Sequence, residues 1–298
     1  MKNIEIKKIL VPVDFSETSE AATATAITLA KQLKAEIFLL HVTEIYQYNY
    51  SFVPETAALL PSILELEKEI QKKMDELKEN TIKKYGITPE VYVTIGDIHS
   101  EIIGFCKKKE IGLIVMGTHG TSGYSELFMG SNAQRVVTLS DIPVLTLQKK
   151  SDKPGFKSIL IPIDNSLHSR EKINLAMIIA DLFDAEIHVL GLPDSSDEED
   201  LKKFTIKYNS VQKIIALHKL THKITMIQGD NLAEEALKYA TKNKCDLIVI
   251  NTGHESKFTG IFLGTFAQQI VNHSKIPVLS FKHTENHTDI ETPGYGIG

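Results

Sequence analysis

The chain has 298 residues and a formal net charge of −5, with 42% hydrophobic and 24% charged residues. This length and composition predict two ordinary globular domains. Residues 1–150 contain 17 Lys and Arg, which leaves 16 for the remainder, against 19 acidic residues in each half. Surfaces dedicated to nucleic acid or to anionic membranes need a basic excess, so neither partner is expected.

Two cysteines, Cys106 and Cys245, are too few for a disulfide framework, and both are interpreted as small core residues. The apolar run near the N-terminus is short and broken by lysines, unlike a signal peptide. No apolar run approaches the roughly 18 residues that a membrane span requires. We therefore expect a cytoplasmic protein with no membrane contact.

The first half alternates predicted strands with predicted helices, as follows. Strands are predicted at Ile9–Val13, Ile37–Val42, Val91–Ile95, Leu113–Met116 and Ile142–Leu147. Amphipathic helices are predicted over Ala22–Leu33, about 62–84, Ile98–Lys109 and about 131–140, with Asp97 capping the third. Such alternation is typical of a doubly wound, parallel α/β sheet with right-handed crossovers.

The second half repeats this pattern. KILVPVDFS (8–16) recurs as SILIPIDNS (158–166), and DIPVLTL (141–147) recurs as KIPVLSF (275–281). The offset falls from 150 to 134 because the first copy has a longer segment that contains Tyr46–Phe52. This aromatic segment either packs over its own domain or forms a contact surface or lid. The repeat predicts domains at 1–150 and 155–283 and a flexible tail at 284–298.

Further features of the second copy follow the first. A long amphipathic helix is predicted with its apolar face running from Leu201 to Leu217, and Gly229-Asp230 repeats the Gly96-Asp97 helix start.

A glycine-rich loop and an aspartate mark the predicted ligand site. Asp14 follows the first strand, and GTHGTSGYSELFMGSNAQ (117–134) follows the fourth, at the sheet edge where open α/β folds bind ligands. The spacing Gly117-x2-Gly120-x9-Gly130-Ser131 matches neither the P-loop nor G-x-G-x-x-G. Glycines and a helix N-terminus can seat a triphosphate, although the same glycines could simply form a tight surface turn. His119 in this loop is interpreted as an exposed polar residue rather than a catalytic one.

Four motifs of the first copy are similar to those of one known protein family: VPVDFS (11–16), MGTHG (116–120), GSNAQRVV (130–137) and IPVL (142–145). The chain resembles a tandem member of the universal stress protein family. The resemblance implies two tandem doubly wound five-stranded parallel sheets, each in the order 3-2-1-4-5, of the adenine-nucleotide α-hydrolase-like type. It also implies ATP binding by the first domain, with ADP, AMP and an accompanying Mg²⁺ left open. The implied binding residues are Pro12, Val13, Asp14, Val42, Met116, Gly117, Gly120, Gly130, Ser131 and Asn132.

The second copy departs from this motif. Asp164, Gly264 and Thr265 are retained as a degenerate site, but Asn251 and His254 replace the first two glycines. In addition, Phe266 replaces Asn132 and is expected to fill phosphate space. We predict that this copy binds nucleotide weakly or not at all and acts as a structural or regulatory partner.

The favoured function is a nucleotide-responsive regulator of a stress response, with no catalytic residue and at most slow ATP hydrolysis. The alternatives are a ligand-independent interaction scaffold and a slow ATPase of the adenine-nucleotide α-hydrolase-like group. The resemblance also implies that the fifth strands, Ile142–Leu147 and Ile276–Phe281, pair within one chain. A homodimer and an unidentified protein partner stay open.

Overall fold

All strands join in one sheet in the computed structural model, which describes residues 6–44, 60–118, 129–148, 155–164, 169–252 and 263–282. The aromatic segment, residues 119–128 of the loop, His254 and the tail lie outside these described residues.

The elements of the first half follow the predicted order. The strands are β1 (Lys8–Pro12), β2 (Glu36–Thr43), β3 (Glu90–Ile95), β4 (Leu113–Gly117) and β5 (Val144–Leu147). The helices are α1 (Glu17–Leu33), α2 (Leu60–Tyr85), α3 (Ile98–Lys109) and α4 (Ser131–Leu139).

The second half has the same elements in the same order. Its strands are β6 (Ser158–Ile163), β7 (Glu186–Gly191), β8 (His222–Met226), β9 (Leu247–Asn251) and β10 (Val278–Phe281). Its helices are α5 (Ser169–Phe183), α6 (Glu198–Leu217), α7 (Leu232–Lys242) and α8 (Thr265–His273). None of the described helices is both long and apolar enough to span a bilayer.

The sheet order is β3-β2-β1-β4-β5-β10-β9-β6-β7-β8, so each half has the predicted order 3-2-1-4-5. Strands within a half are parallel, and the halves meet where β5 pairs antiparallel with β10, with Leu145 opposite Leu279. The expected pairing through the fifth strands is confirmed. The two five-stranded halves thus form one continuous sheet, because each fifth strand would otherwise leave unpaired backbone groups at an apolar edge.

Helices cover both faces of the sheet. One apolar cluster packs α1, α2, α5 and α6 on one face, and a second packs α3, α4, α7 and α8 on the other. Ile9, Leu10 and Val11 of β1 are fully buried, which explains why the strand reads as a continuous apolar run. Each such side chain contributes roughly 1.5–3 kcal/mol through burial.

The predicted helix start is confirmed in the first copy but not in the second. Asp97 caps α3 as predicted, since its Oδ1 accepts from the backbone N–H of Ser100 at 3.0 Å. In the second copy the predicted start at Asp230 is wrong, because Asn231 caps α7 through the N–H of Glu234. Leu217 is 81% exposed at the end of α6, whose apolar face instead ends at Ile215.

Candidate functional site

A cleft of about 260 Å³ opens at the carboxyl edge of the first-half strands, between β1, β2 and β4 and the N-terminal ends of α3 and α4. Nine of the ten residues predicted for the first-domain site line it. They are Pro12, Val13, Asp14, Val42, Met116, Gly117, Gly130, Ser131 and Asn132. The tenth, Gly120, lies outside the described residues. Side chains separated by more than 100 residues in sequence therefore meet in one cleft.

One wall of the cleft is apolar. Val42 and Met116 are joined there by Leu40, Ile98 and Ile102, which the sequence reasoning did not single out. Leu40 could have been found from the two-residue strand period that places it on the same face as Val42. Ile98 and Ile102 are four residues apart on α3 and so share one helix face. This wall suits a flat, weakly polar group such as a purine.

The turn between β1 and α1 sets the orientation of the acidic side chain in the cleft. The Asp14 carboxylate accepts from the backbone N–H of Ser16 at 3.0 Å and from its hydroxyl at 2.5 Å. The Ser16 hydroxyl oxygen in turn accepts from the N–H of Ser19 and caps α1. Phe15 between them has a φ of +63°, which is uncommon for a residue other than glycine.

Gly117 allows α1 to pack closely against β4. A Cβ at Gly117 would lie 2.5 Å from the hydroxyl oxygen of Thr18 and 2.9 Å from its backbone carbonyl carbon. The sequence interpretation assigned this glycine to backbone approach by a ligand. The structure shows that helix–strand packing already requires glycine here, in addition to its place in the cleft wall.

Gly130 and Thr118 form the entry to α4. Gly130 donates its N–H to the carbonyl of Thr118 at 2.7 Å, and a Cβ on Gly130 would lie 3.1 Å from that oxygen. Thr118 is itself fixed to the end of β5, because its N–H donates to the carbonyl of Leu147 at 2.9 Å. Gly130 supplies no side-chain cap for α4. The N-terminus of this helix faces the cleft, with Ser131 and Asn132 at its start. A helix N-terminus of this kind favours an anionic group.

The second copy retains the backbone of this entry, but two neighbouring side chains differ. Gly264 has φ −58° and ψ 148°, against −59° and 147° for Gly130, and it likewise supplies no side-chain cap for α8. Thr265 follows it and is exposed. Phe266, expected in phosphate space, is partly buried and packs against the apolar cluster. Asn251 ends β9 at the position of Gly117.

Two lysines interact with Asp164, the counterpart of Asp14. Lys172 on α5 is 2% exposed and stands where the first copy has Ala22, and the charge of Asp164 acts on it. Burial lowers the pKa of Lys172 more than this carboxylate raises it. Lys207 on α6 donates to the backbone carbonyl of Asp164 at 2.8 Å. The sequence signal for this difference is a lysine within the apolar pattern of α5.

Both cysteines are buried free thiols, as their interpretation as core residues requires. Burial raises the pKa of Cys106 to about 12, and burial also raises the pKa of Cys245. A thiol with a raised pKa is a poor nucleophile near neutral pH.

Comparison with known proteins gives matches over nearly the whole chain. The model of the Universal stress protein family matches residues 5–148 and again residues 155–282. Universal stress protein MJ0577 of Methanocaldococcus jannaschii is 33% identical over 161 residues, spanning 50% of this chain and 99% of that protein. Universal stress protein Slr1230 of Synechocystis is 21% identical over 297 residues, spanning 93% of this chain and 100% of its own.

A solved structure shares the fold across both halves. The crystal structure of a universal stress protein from Archaeoglobus fulgidus superposes with a TM-score of 0.73 at 20% identity, covering 95% of this chain and 100% of the other.

Proposed function

Since this chain belongs to the universal stress protein family, with one family domain in each half, we propose that its first domain binds ATP and acts as a nucleotide-responsive regulator of a stress response. The observation that carries the proposal is one cleft lined by nine of the ten residues that the family resemblance implies. An apolar wall lies on one side of this cleft and an uncapped helix N-terminus on the other.

The chemistry of the two sides suits the two ends of the nucleotide. The adenine ring would pack against Val42 and the neighbouring apolar side chains, which would remove its faces from water. The phosphates would lie at the start of α4, where backbone N–H groups and the Ser131 hydroxyl can donate to them. Asp14 would accept from hydroxyl groups of the adenosine part. ADP and AMP share the adenosine part and would bind through fewer phosphate contacts.

Binding rather than turnover is the proposed activity. Phosphoryl transfer is accelerated by cationic groups on the transferring phosphate. Neither lysine nor arginine occurs among the described residues that line the cleft, and Asp14 is the one carboxylate among them. A Mg²⁺ ion would therefore take its oxygen ligands mainly from the triphosphate and from water. We expect any hydrolysis to be far slower than ordinary enzyme turnover.

The second domain is proposed as a partner of the first rather than a second ATP site. Phe266 and Asn251 replace residues of the cleft, and Lys172 and Lys207 already interact with Asp164. The joined sheet connects the two domains through β5 and β10, so a change in the first domain can reach the second through paired backbone. The reducing cytoplasm is the proposed location, because both thiols are free and buried.

Calorimetric titration of the nucleotide-free protein with ATP tests this proposal. Asn132→Phe copies the second-copy residue into the cleft, and we expect it to weaken ATP binding by at least tenfold. Phe266→Asn is the matched control in the second copy and should leave the ATP affinity of the first unchanged. A wild-type protein that takes up no ATP would refute the proposal and favour the ligand-independent scaffold. ATP turnover at about 1 per second, an ordinary enzyme rate, would contradict the binding-only form of the proposal.

A further inference from the structure

A stack of two rings, His41 and Phe15, lies on the face of the sheet opposite the cleft. His41 lies between Leu40 and Val42, which both line the cleft, so the strand alternation directs its ring to the other face. Its Nδ1 is 2.7 Å from the backbone carbonyl oxygen of Val13. Because that carbonyl can only accept, the hydrogen bond requires a proton on Nδ1. His41 therefore connects β2 to the last residue before Asp14.

The ring of His41 also packs against Phe15, the residue with a positive φ. Phe15 stacks on His41 with ring centroids 5.0 Å apart and an interplanar angle of 29°. The ammonium group of Lys73, on α2, lies 5.7 Å from the centroid of the Phe15 ring. Phe15 has a φ of +63°, a conformation that a residue with a bulky side chain adopts only when surrounding contacts favour it. The stack supplies such contacts.

This turn determines where the cleft carboxylate points. Asp14 and Ser16 flank Phe15, and the two hydrogen bonds from Ser16 to the Asp14 carboxylate close the turn. A relaxation of Phe15 toward negative φ would rotate these flanking residues relative to β1. The position of Asp14 in the cleft thus depends on the contacts that hold Phe15.

The second copy lacks this stack. The pairing register places Gly191 at the position of His41, and a Cβ there would lie 2.9 Å from the ring of Tyr208. Tyr208 fills the space and donates its hydroxyl to the carbonyl of Thr225 at 2.6 Å. Lys207, at the 134-residue offset from Lys73, donates to the carbonyl of Asp164. The histidine arrangement therefore belongs to the copy that keeps the glycine motif.

We propose that His41 is a positioning residue of the nucleotide cleft: it holds the Val13–Phe15 turn and so sets the Asp14 carboxylate toward the ligand. This inference rests on the proposed function, because it assigns a role at the same site. The imidazole acts through the turn and does not touch the nucleotide.

Two substitutions at position 41 separate the hydrogen bond from simple filling of space. His41→Leu keeps an apolar side chain but removes the donor, and we expect ATP affinity to fall about tenfold, as expected when one such contact and its turn are lost. His41→Asn places an amide N–H near the former Nδ1 and should restore affinity to within about threefold of wild type. His188→Leu removes a buried histidine from the second copy and is the matched control, with ATP affinity unchanged.

A double-mutant cycle tests the proposed route through Phe15. Glycine adopts positive φ without strain, so Phe15→Gly makes the turn less dependent on the stack. In that background His41→Leu should reduce ATP affinity by less than threefold instead of tenfold. An equal loss in both backgrounds would overturn the positioning role, as would a His41→Leu variant that binds ATP as well as wild type.

A second comparison applies if His41→Leu does not fold. Phe15→Gly and Phe15→Ala both remove the ring but differ in how easily residue 15 adopts positive φ. We expect the alanine variant to bind ATP about tenfold more weakly than the glycine variant, and equal affinities would overturn the inference. A wild-type protein that binds no ATP would instead refute the proposed function itself, and the inference with it.

Discussion

Gly117→Ala is the substitution whose effect follows most directly from the structure. The added Cβ would lie 2.5 Å from the Thr18 hydroxyl oxygen, 2.8 Å from its Cβ and 2.9 Å from its backbone carbonyl carbon, whereas ordinary contact begins at 3.4 Å. The hydroxyl can rotate away, but the backbone carbon moves only with the helix. The first turn of α1 must therefore shift by about 0.5 Å away from β4, since Cβ packing cannot compress further.

We expect this shift to lower the free energy of unfolding by about 1–3 kcal/mol, the usual cost of overpacking a well-packed site. ATP binding should weaken as well, because the displaced turn carries the Ser16 cap and the hydrogen bonds to Asp14. Urea denaturation followed by circular dichroism measures the first effect, and calorimetry measures the second.

Gly104→Ala is the matched control, because a Cβ there meets nothing within 4 Å in the middle of α3. It should raise stability by roughly 0.5–1 kcal/mol, as glycine is unfavourable inside a helix. Adding Thr18→Ala to Gly117→Ala should recover only part of the loss, since the 2.9 Å backbone contact remains. If Gly117→Ala and Gly104→Ala gave the same stability, the packing explanation for Gly117 would be refuted.

Three further predictions concern charges and hydrogen bonds at or beyond the site. Ser131→Ala should weaken ATP binding about threefold to tenfold through loss of one hydrogen bond. Thr265→Ala in the second copy should leave ATP affinity unchanged. A titration in which both variants lose affinity equally would contradict the proposal that only the first domain binds ATP. Lys172→Met should raise the free energy of unfolding at pH 7, because it removes an ionisable group whose charged form is disfavoured by burial. Burial lowers the pKa of Lys172 in the folded state, so the unfolded chain binds the proton more tightly. The increase in the free energy of unfolding caused by Lys172→Met should therefore shrink as pH rises toward about 10.4, the pKa of an unperturbed lysine. Urea denaturation that gives the same increase at pH 7 and pH 10 would contradict this prediction. Burial also lowers the pKa of His188, so wild-type stability should fall as pH drops below about 6.5, while His188→Phe should lessen that fall in urea denaturation from pH 7 to pH 5.

The sequence predicted the order of elements because the relevant signals are local. Fully buried parallel strands read as short apolar runs, and β1 is such a run. The internal repeat then reproduced the same order in the second half. Strand carboxyl ends and the glycine spacing indicated the edge of the sheet where the site lies, and the family resemblance implied its individual residues.

The features that the sequence did not predict depend on contacts between helices and strands. The reason for glycine at position 117 is the approach of α1, which no pattern around Gly117 reveals. The role of His41 depends on the register between β1 and β2, which brings its ring beneath Val13. Asp230 and Asn231 are both good capping residues, so composition alone does not choose between them. Lys172 lies within the apolar pattern of α5, but its burial beside Asp164 is known only from the packing of that helix.

The number of adenine nucleotides bound per chain is the most direct test of this account. Native mass spectrometry of the full chain, equilibrated with saturating ATP, measures it. The structure predicts one nucleotide per chain, lost on Asn132→Phe and retained on Phe266→Asn. Two nucleotides per chain would contradict the asymmetry between the domains, and none at saturating ATP would contradict nucleotide binding by the first.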